Sequence, residues 1–126
     1  MGIPNPLTAR YKKAQKLGKR AEWLASFWLR LKFYRILARN WKSPYGEVDI
    51  IALKGRQLVI IEVKMRAHAG FIDHTILNRQ KERLMRAALQ YQQNHSQYKD
   101  YSIRFDALLI SSSFLSHIKN AWWSDR

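Results

Sequence analysis

A chain of 126 residues with no internal break forms one domain, long enough for a single core and too short for two. Lys and Arg number 23 against 9 Asp and Glu, a formal charge of +14, which favours a polyanionic partner, nucleic acid before an acidic membrane surface. The absence of cysteine excludes disulfide scaffolds and thiolate metal sites and fits a reducing, cytoplasmic setting, and the lack of a charge-free stretch of transmembrane length argues against a membrane protein.

The N-terminal run Met1-Gly2-Ile3-Pro4-Asn5-Pro6 has neither the apolar core of a signal peptide nor the hydroxyl residue of a myristoylation motif. Residues 9 to 20 are basic, free of acids and helical in period, which suits either a transit peptide or the start of a domain helix. The apolar positions Ala14, Leu17, Ala21, Leu24, Trp28 and Leu31 recur every three or four residues. They predict a first helix over about residues 8 to 31 with that face buried.

Tyr34 to Trp41 reads as a strand ending at the turn signal Ser43-Pro44-Tyr45-Gly46. A second strand runs from Glu47 to Leu53. Lys54-Gly55 then serves as a tight connection to a third strand, Gln57 to Met65, making an antiparallel meander. Arg66 to His74 loses periodicity around Gly70 and reads as a loop. A second helix follows over about Thr75 to His95, with Ile76, Leu77, Leu84, Ala87, Ala88 and Tyr91 inward and Gln80, Arg83 and Arg86 outside that set. Ser102 to Ile110 is a fourth strand, and Phe114 to Trp123 suits a short strand or a helical turn. The order α-β-β-β-α-β implies a mixed α/β domain with helices against a central sheet, its core over about residues 8 to 110 and a C-terminal extension over residues 111–126.

The chemistry concentrates in Gly46-Glu47-Val48-Asp49-Ile50 and Ile61-Glu62-Val63-Lys64. Alternation along a strand puts Glu62 and Lys64 on one face and Val59, Ile61 and Val63 on the other. Ionised groups in such apolar strands are costly unless compensated. An Asp on one strand and a Glu-x-Lys on the next can hold a divalent cation between carboxylates with an ammonium beside it, the apparatus for cutting a phosphodiester.

Gly46 to Ala52, Leu58 to Lys64 with Arg66, and Arg104-Phe105-Asp106 resemble segments of the YraN-like family of bacterial proteins, related to the PD-(D/E)xK endonuclease superfamily. The resemblance spans roughly residues 18 to 110 in pattern and order of elements, and implies a restriction-endonuclease-like core. It assigns the metal-binding Asp to Asp49 and the Glu-x-Lys to Glu62, Val63 and Lys64. Glu22 falls where the family has an acidic residue on its first helix, with Ala21 in place of the usual preceding glycine. A polar residue on the helix after the Glu-x-Lys strand, matched by Gln80 or Lys81, would support the site or touch phosphate, and Arg66 and Arg83 are expected to meet nucleic acid as well.

In that arrangement Asp49 and Glu62 ligate Mg²⁺ or Mn²⁺ with the Val63 carbonyl. Glu22 holds an outer water and Lys64 orients or acidifies the attacking water. The implied activity is metal-dependent hydrolysis of DNA, rather than RNA, during repair or recombination; by analogy with duplex cutters, a homodimer is expected. The alternative is a basic nucleic-acid-binding module on the same fold that does not cut. Each residue also has a plainer role open to it: a carboxylate in a strand can be a salt-bridge partner, and Glu47, near the turn, is expected to face solvent. Asp106 is expected to support the sheet. His68, His74, His95 and His117 have no ligand spacing and suit the surface or loops. Trp122 and Trp123 suit packing or self-association.

Overall fold

The computed structural model describes residues 20–65, 74–111 and 115–121, with the side chains of residues 65 and 74–80 excepted. It is a mixed α/β sandwich consistent with a restriction-endonuclease-like core. Helix α1 (residues 20–31) precedes β1 (Arg35–Ser43), β2 (Gly46–Lys54) and β3 (Gln57–Met65); α2 (His74–Asn94) follows, then a 3-10 turn (Ser96–Tyr98), β4 (Ser102–Ile110) and β5 (Leu115–Ile118). The sheet order is β1-β2-β3-β4-β5. The first three strands form the expected antiparallel meander, β4 pairs parallel with β3, and β5 antiparallel with β4. Two parallel neighbours need a crossover, and α2 lies in that connection.

One face of the sheet, with Val48, Ile51, Leu58, Ile60 and Phe105, packs against Leu84, Ala87, Ala88 and Tyr91 of α2. The other, with Ile50, Ala52, Val59, Ile61 and Leu108, packs against Ala21, Ala25 and Leu29 of α1. Strand alternation thus separates two apolar clusters across one sheet. The inward residues expected for α2 that fall within residues 81–94 are all buried, whereas the side chains of Ile76 and Leu77 lie outside the described residues.

Helix α1 buries part of the face its periodicity suggested, Ala21 fully and Trp28 in part, but is rotated from it. Ala21, Ala25 and Leu29 are buried, while Leu24 and Leu31 are 59% and 60% exposed. The small residues at four-residue spacing let the helix axis approach the sheet, which a row of large side chains would hold off. The helix stops where Phe33, at φ 67, lets its N–H reach the Arg30 carbonyl while the Tyr34 N–H reaches that of Leu29, at 3.0 and 2.9 Å. This is a Schellman closure with buried Leu29 and Tyr34 beneath it. The proposed extension of this helix back to residue 8, and the transit-peptide reading of residues 9–20 but for Arg20, lie outside the described residues.

The connection between β2 and β3 is Gly55-Arg56, one residue later than expected, because Lys54 still pairs with Gln57. Gly55 takes the left-handed φ of 59 that such a turn requires. The tail contributes β5, a strand rather than a helical turn. Residues 66–73, including Arg66, His68 and the expected loop, lie outside the described residues, as do Trp122 and Trp123.

Candidate metal and nucleic-acid site

The site forms where the sheet opens. The β2–β3 ladder runs from Lys54↔Gln57 to Ile50↔Ile61, and the next step would set Asp49 opposite Glu62. There Asp49 Oδ2 instead accepts the Val63 N–H at 2.8 Å. On the other side of β2, the pairs Arg39↔Ile50 and Trp41↔Val48 bracket Asn40 and Asp49, and Asn40 is left-handed at φ 52. The strict alternation of β2 breaks here, since Val48 and Ile51 face the α2 cluster while Ile50 faces that of α1. Asp49 therefore occupies an irregular step between β1 and β3, within reach of Glu22 on α1.

Three acids meet at this step. Glu62 is buried, at 6% exposure; burial first, and the negative charge of Asp49 second, push its pKa up to about 8, while Lys64 and Arg83 pull the other way. Asp49 is also raised by burial, against the Val63 N–H, Lys64 and a hydrogen bond from Glu62. Glu22 is raised by burial first and by the negative charge of Asp49 second, while the neighbouring Asn40 side chain pulls the other way. Burial and mutual repulsion press Glu62 and Glu22 toward the protonated form, and Lys64 and Arg83 only partly offset this at Glu62.

The structure brings Asp49, Glu62, Lys64 and Glu22 together, the set expected from the sequence. Val63 contributes its N–H to Asp49. Arg83 turns toward the acids: its Nη2 lies 3.9 Å from Glu62 Oε1 and its Nη1 donates to the Glu47 carbonyl at 2.9 Å. Gly46, at φ 120, makes the room, because a Cβ there would come within 2.7 Å of Arg83 Nη1. Lys81 is half-buried and already engaged. Gln80 lies on α2, but its side chain is outside the described residues. Glu47 is exposed as expected, yet its charge adds to the upward pressure on Glu22 and Asp49.

Asn40 was not legible as a site residue. Its signal is an Asn within a strand, a residue type that tolerates the left-handed conformation.

Asp106 lies apart from these acids. Fully buried, it accepts from Arg104 Nε and Nη2 at 2.9 and 2.7 Å, from the Asn120 N–H at 2.9 Å and from His117 Nε2 at 2.7 Å. Burial alone would raise its pKa, but the hydrogen bonds from His117 and Arg104 outweigh that and hold it below the ordinary carboxylate value. Arg104 also donates to the Tyr34 hydroxyl and to Gln57. Asp106 thus ties β5 and the following turn to the sheet, the supporting role expected of it. His117 departs from expectation. Its side chain is 5% exposed and sits edge-on to Trp28, because the parallel β3–β4 pair leaves β5 to cover Asp106.

This architecture, a splayed mixed sheet with an Asp, a Glu-x-Lys and a helical Glu at its opening, matches the restriction-endonuclease-like class. The family model described as "Uncharacterised protein family UPF0102" matches residues 21–110, and the chain belongs to that family, the YraN-like family. A UPF0102 protein of Parvibaculum lavamentivorans is 40% identical over 119 residues, covering 94% of this chain and 88% of the relative. One from Rhodopseudomonas palustris is 42% identical over 98 residues, covering 78% and 75%. One from Francisella tularensis subsp. tularensis is 40% identical over 110 residues, covering 85% and 94%. No helix among the described residues is long and apolar enough to cross a membrane.

Proposed function

We propose that this protein is a metal-dependent nuclease that hydrolyses phosphodiester bonds of DNA, with Asp49, Glu62, Lys64 and Glu22 as its working residues. The observation that carries this reading is Glu62. Its Oε1 is buried without a hydrogen-bond partner, Arg83 stands at salt-bridge rather than hydrogen-bond distance, and burial first, with Asp49 second, raises its pKa. An oxygen left in that state costs stability unless a cation takes it. The donors are all oxygen, which suits Mg²⁺ or Mn²⁺.

Among the described residues no three His, Cys, Asp or Glu side chains form a ready ligand set. The protein's share would therefore be Asp49 and Glu62 with the Val63 carbonyl, and water would complete the sphere, as a hard cation that keeps its waters allows. A bound divalent ion would supply a Lewis acid for the phosphate oxygens and an acidified water. Lys64 orients that water and helps offset the charge of the scissile phosphate. Glu22 accepts a hydrogen bond from a water beside Asp49, and Arg83 holds the Glu62 carboxylate in place. The net charge of +14 draws the polyanion to the site.

That same charge supports a second reading, a nucleic-acid-binding module that does not cut. Calorimetric titration of Mg²⁺ or Mn²⁺ into wild type and Asp49→Ala, followed by a cleavage screen over single-stranded, duplex and four-way-junction DNA, separates the two. Metal binding and cleavage both lost in the variant support the nuclease. No metal binding beside tight, salt-sensitive DNA binding leaves the module.

A further inference from the structure

A groove of about 470 Å³ opens directly beside the acids, lined by Glu22, Trp23, Arg39 and Asn40. It adjoins the candidate site, because Glu22 and Asn40 line it and Asn40 lies beside Asp49 between the Arg39↔Ile50 and Trp41↔Val48 pairs. Trp23 is 64% exposed. A large aromatic ring left in water at the lip of a polar groove calls for an explanation that core packing does not supply. Arg39 reaches it from β1, with its guanidinium carbon 5.5 Å from the ring centroid, so the indole is braced by a cation that can also meet a phosphate.

We propose that Trp23 and Arg39 form a platform on which an unpaired base stacks, so that the substrate is a single-stranded segment entering beside Asp49. This deepens the nuclease reading and rests on the site taking nucleic acid. The indole offers a flat apolar face that any base can cover, which fits sequence-tolerant recognition. A base paired inside a duplex has both faces covered by its neighbours and would have to leave the stack to use it. Arg39 supplies the phosphate contact and Glu22 lies between the platform and Asp49, which puts the backbone next to a stacked base over the acids.

The test is binding by fluorescence anisotropy, in EDTA so that no cleavage intervenes, of a short labelled oligothymidylate, a fully abasic strand of the same length and a blunt duplex. Trp23→Ala is expected to weaken oligothymidylate binding about tenfold, to leave the duplex within about twofold, and to cost the abasic strand nothing further. Trp23→Phe, which keeps a stacking ring, is expected to retain most of the affinity. Equal losses on single strand and duplex, or the same loss on the abasic strand, would overturn the platform, since a structural or purely electrostatic role predicts them. Should the platform fail while Asp49-dependent cleavage is observed, the nuclease reading stands alone. Should the stacking pattern appear without any cleavage, the platform stands without it. Failure to bind any of the three probes overturns the platform and leaves the nuclease reading to the metal and cleavage tests.

Discussion

The Val63 N–H donates to Asp49 Oδ2 over 2.8 Å, so a side chain satisfies the backbone at the point where β2 and β3 part. That contact ties Asp49 to the residue between Glu62 and Lys64. Asp49→Ala removes the acceptor and leaves the Val63 amide without it, at a cost of about 1–3 kcal/mol. It also removes the charge that raises Glu62. On the proposed reading the variant is expected to lose metal binding, and the Glu62 pKa to fall below about 8 while burial still holds it above its ordinary value of 4.5. NMR titration of the Glu62 carboxyl reads this directly, and an unmoved pKa would show that Asp49 exerts no force on it.

Stability should depend on pH through Glu62. A carboxyl whose pKa is raised on folding, here from 4.5 to about 8, contributes stability that is full below its unfolded value and is lost as pH rises through the folded one. A bound divalent ion offsets that loss, because it favours the ionised form. Melting temperature is thus expected to fall between about pH 4.5 and about pH 8 without metal and to level off above that, and Mn²⁺ should raise it more at about pH 9 than at about pH 6. Glu62→Gln should flatten the profile and abolish the metal response. A Gln variant with the same Mn²⁺ gain would place the ion elsewhere.

Gly46 and Gly55 make a matched pair. Both have positive φ, 120 and 59, but a Cβ at Gly46 meets Arg83 Nη1 at 2.7 Å while one at Gly55 meets nothing within 4 Å. Gly55→Ala should cost about 1 kcal/mol of backbone strain. Gly46→Ala adds displacement of Arg83 from Glu62 and from the Glu47 carbonyl, so its cost should reach about 2–3 kcal/mol. Urea unfolding in wild-type and Arg83→Ala backgrounds separates the two parts. A Gly46→Ala penalty that is identical in both backgrounds would mean that the guanidinium does not occupy that space.

Asp106 is expected to be essential to the fold and indifferent to the chemistry. Asp106→Ala strands Arg104 and His117 in a buried setting, and breaking such a pair costs about 3–5 kcal/mol. Because hydrogen bonds hold its pKa below the ordinary value of 3.8, its contribution is present above that value and is lost as pH falls through the folded pKa. Equilibrium unfolding should show the loss, and metal titration of whatever folded protein remains should match wild type. Loss of metal affinity in a folded Asp106 variant would join the two sites.

The sequence by itself determined the strands and the chemical cast. Period-two alternation marked β3 and β4 at their observed bounds and put Glu62 and Lys64 on a common face, because side-chain direction along a strand is a local property. The excess of cations and the placing of Asp49 before an apolar run were equally local. Tertiary structure decided where the strands separate, and with that the site's geometry. The left-handed Asn40 beside Asp49, the inward swing of Arg83 under Gly46 and the burial of His117 against Asp106 each join residues of different elements. Helix α1 shows the same limit: the stripe with the larger apolar residues Leu24 and Leu31 stays exposed, and close approach to the sheet buries Ala21, Ala25 and Leu29 instead, leaving Trp23 outside. Periodicity reports that a helix has an apolar stripe, but which stripe is buried depends on the surface it meets.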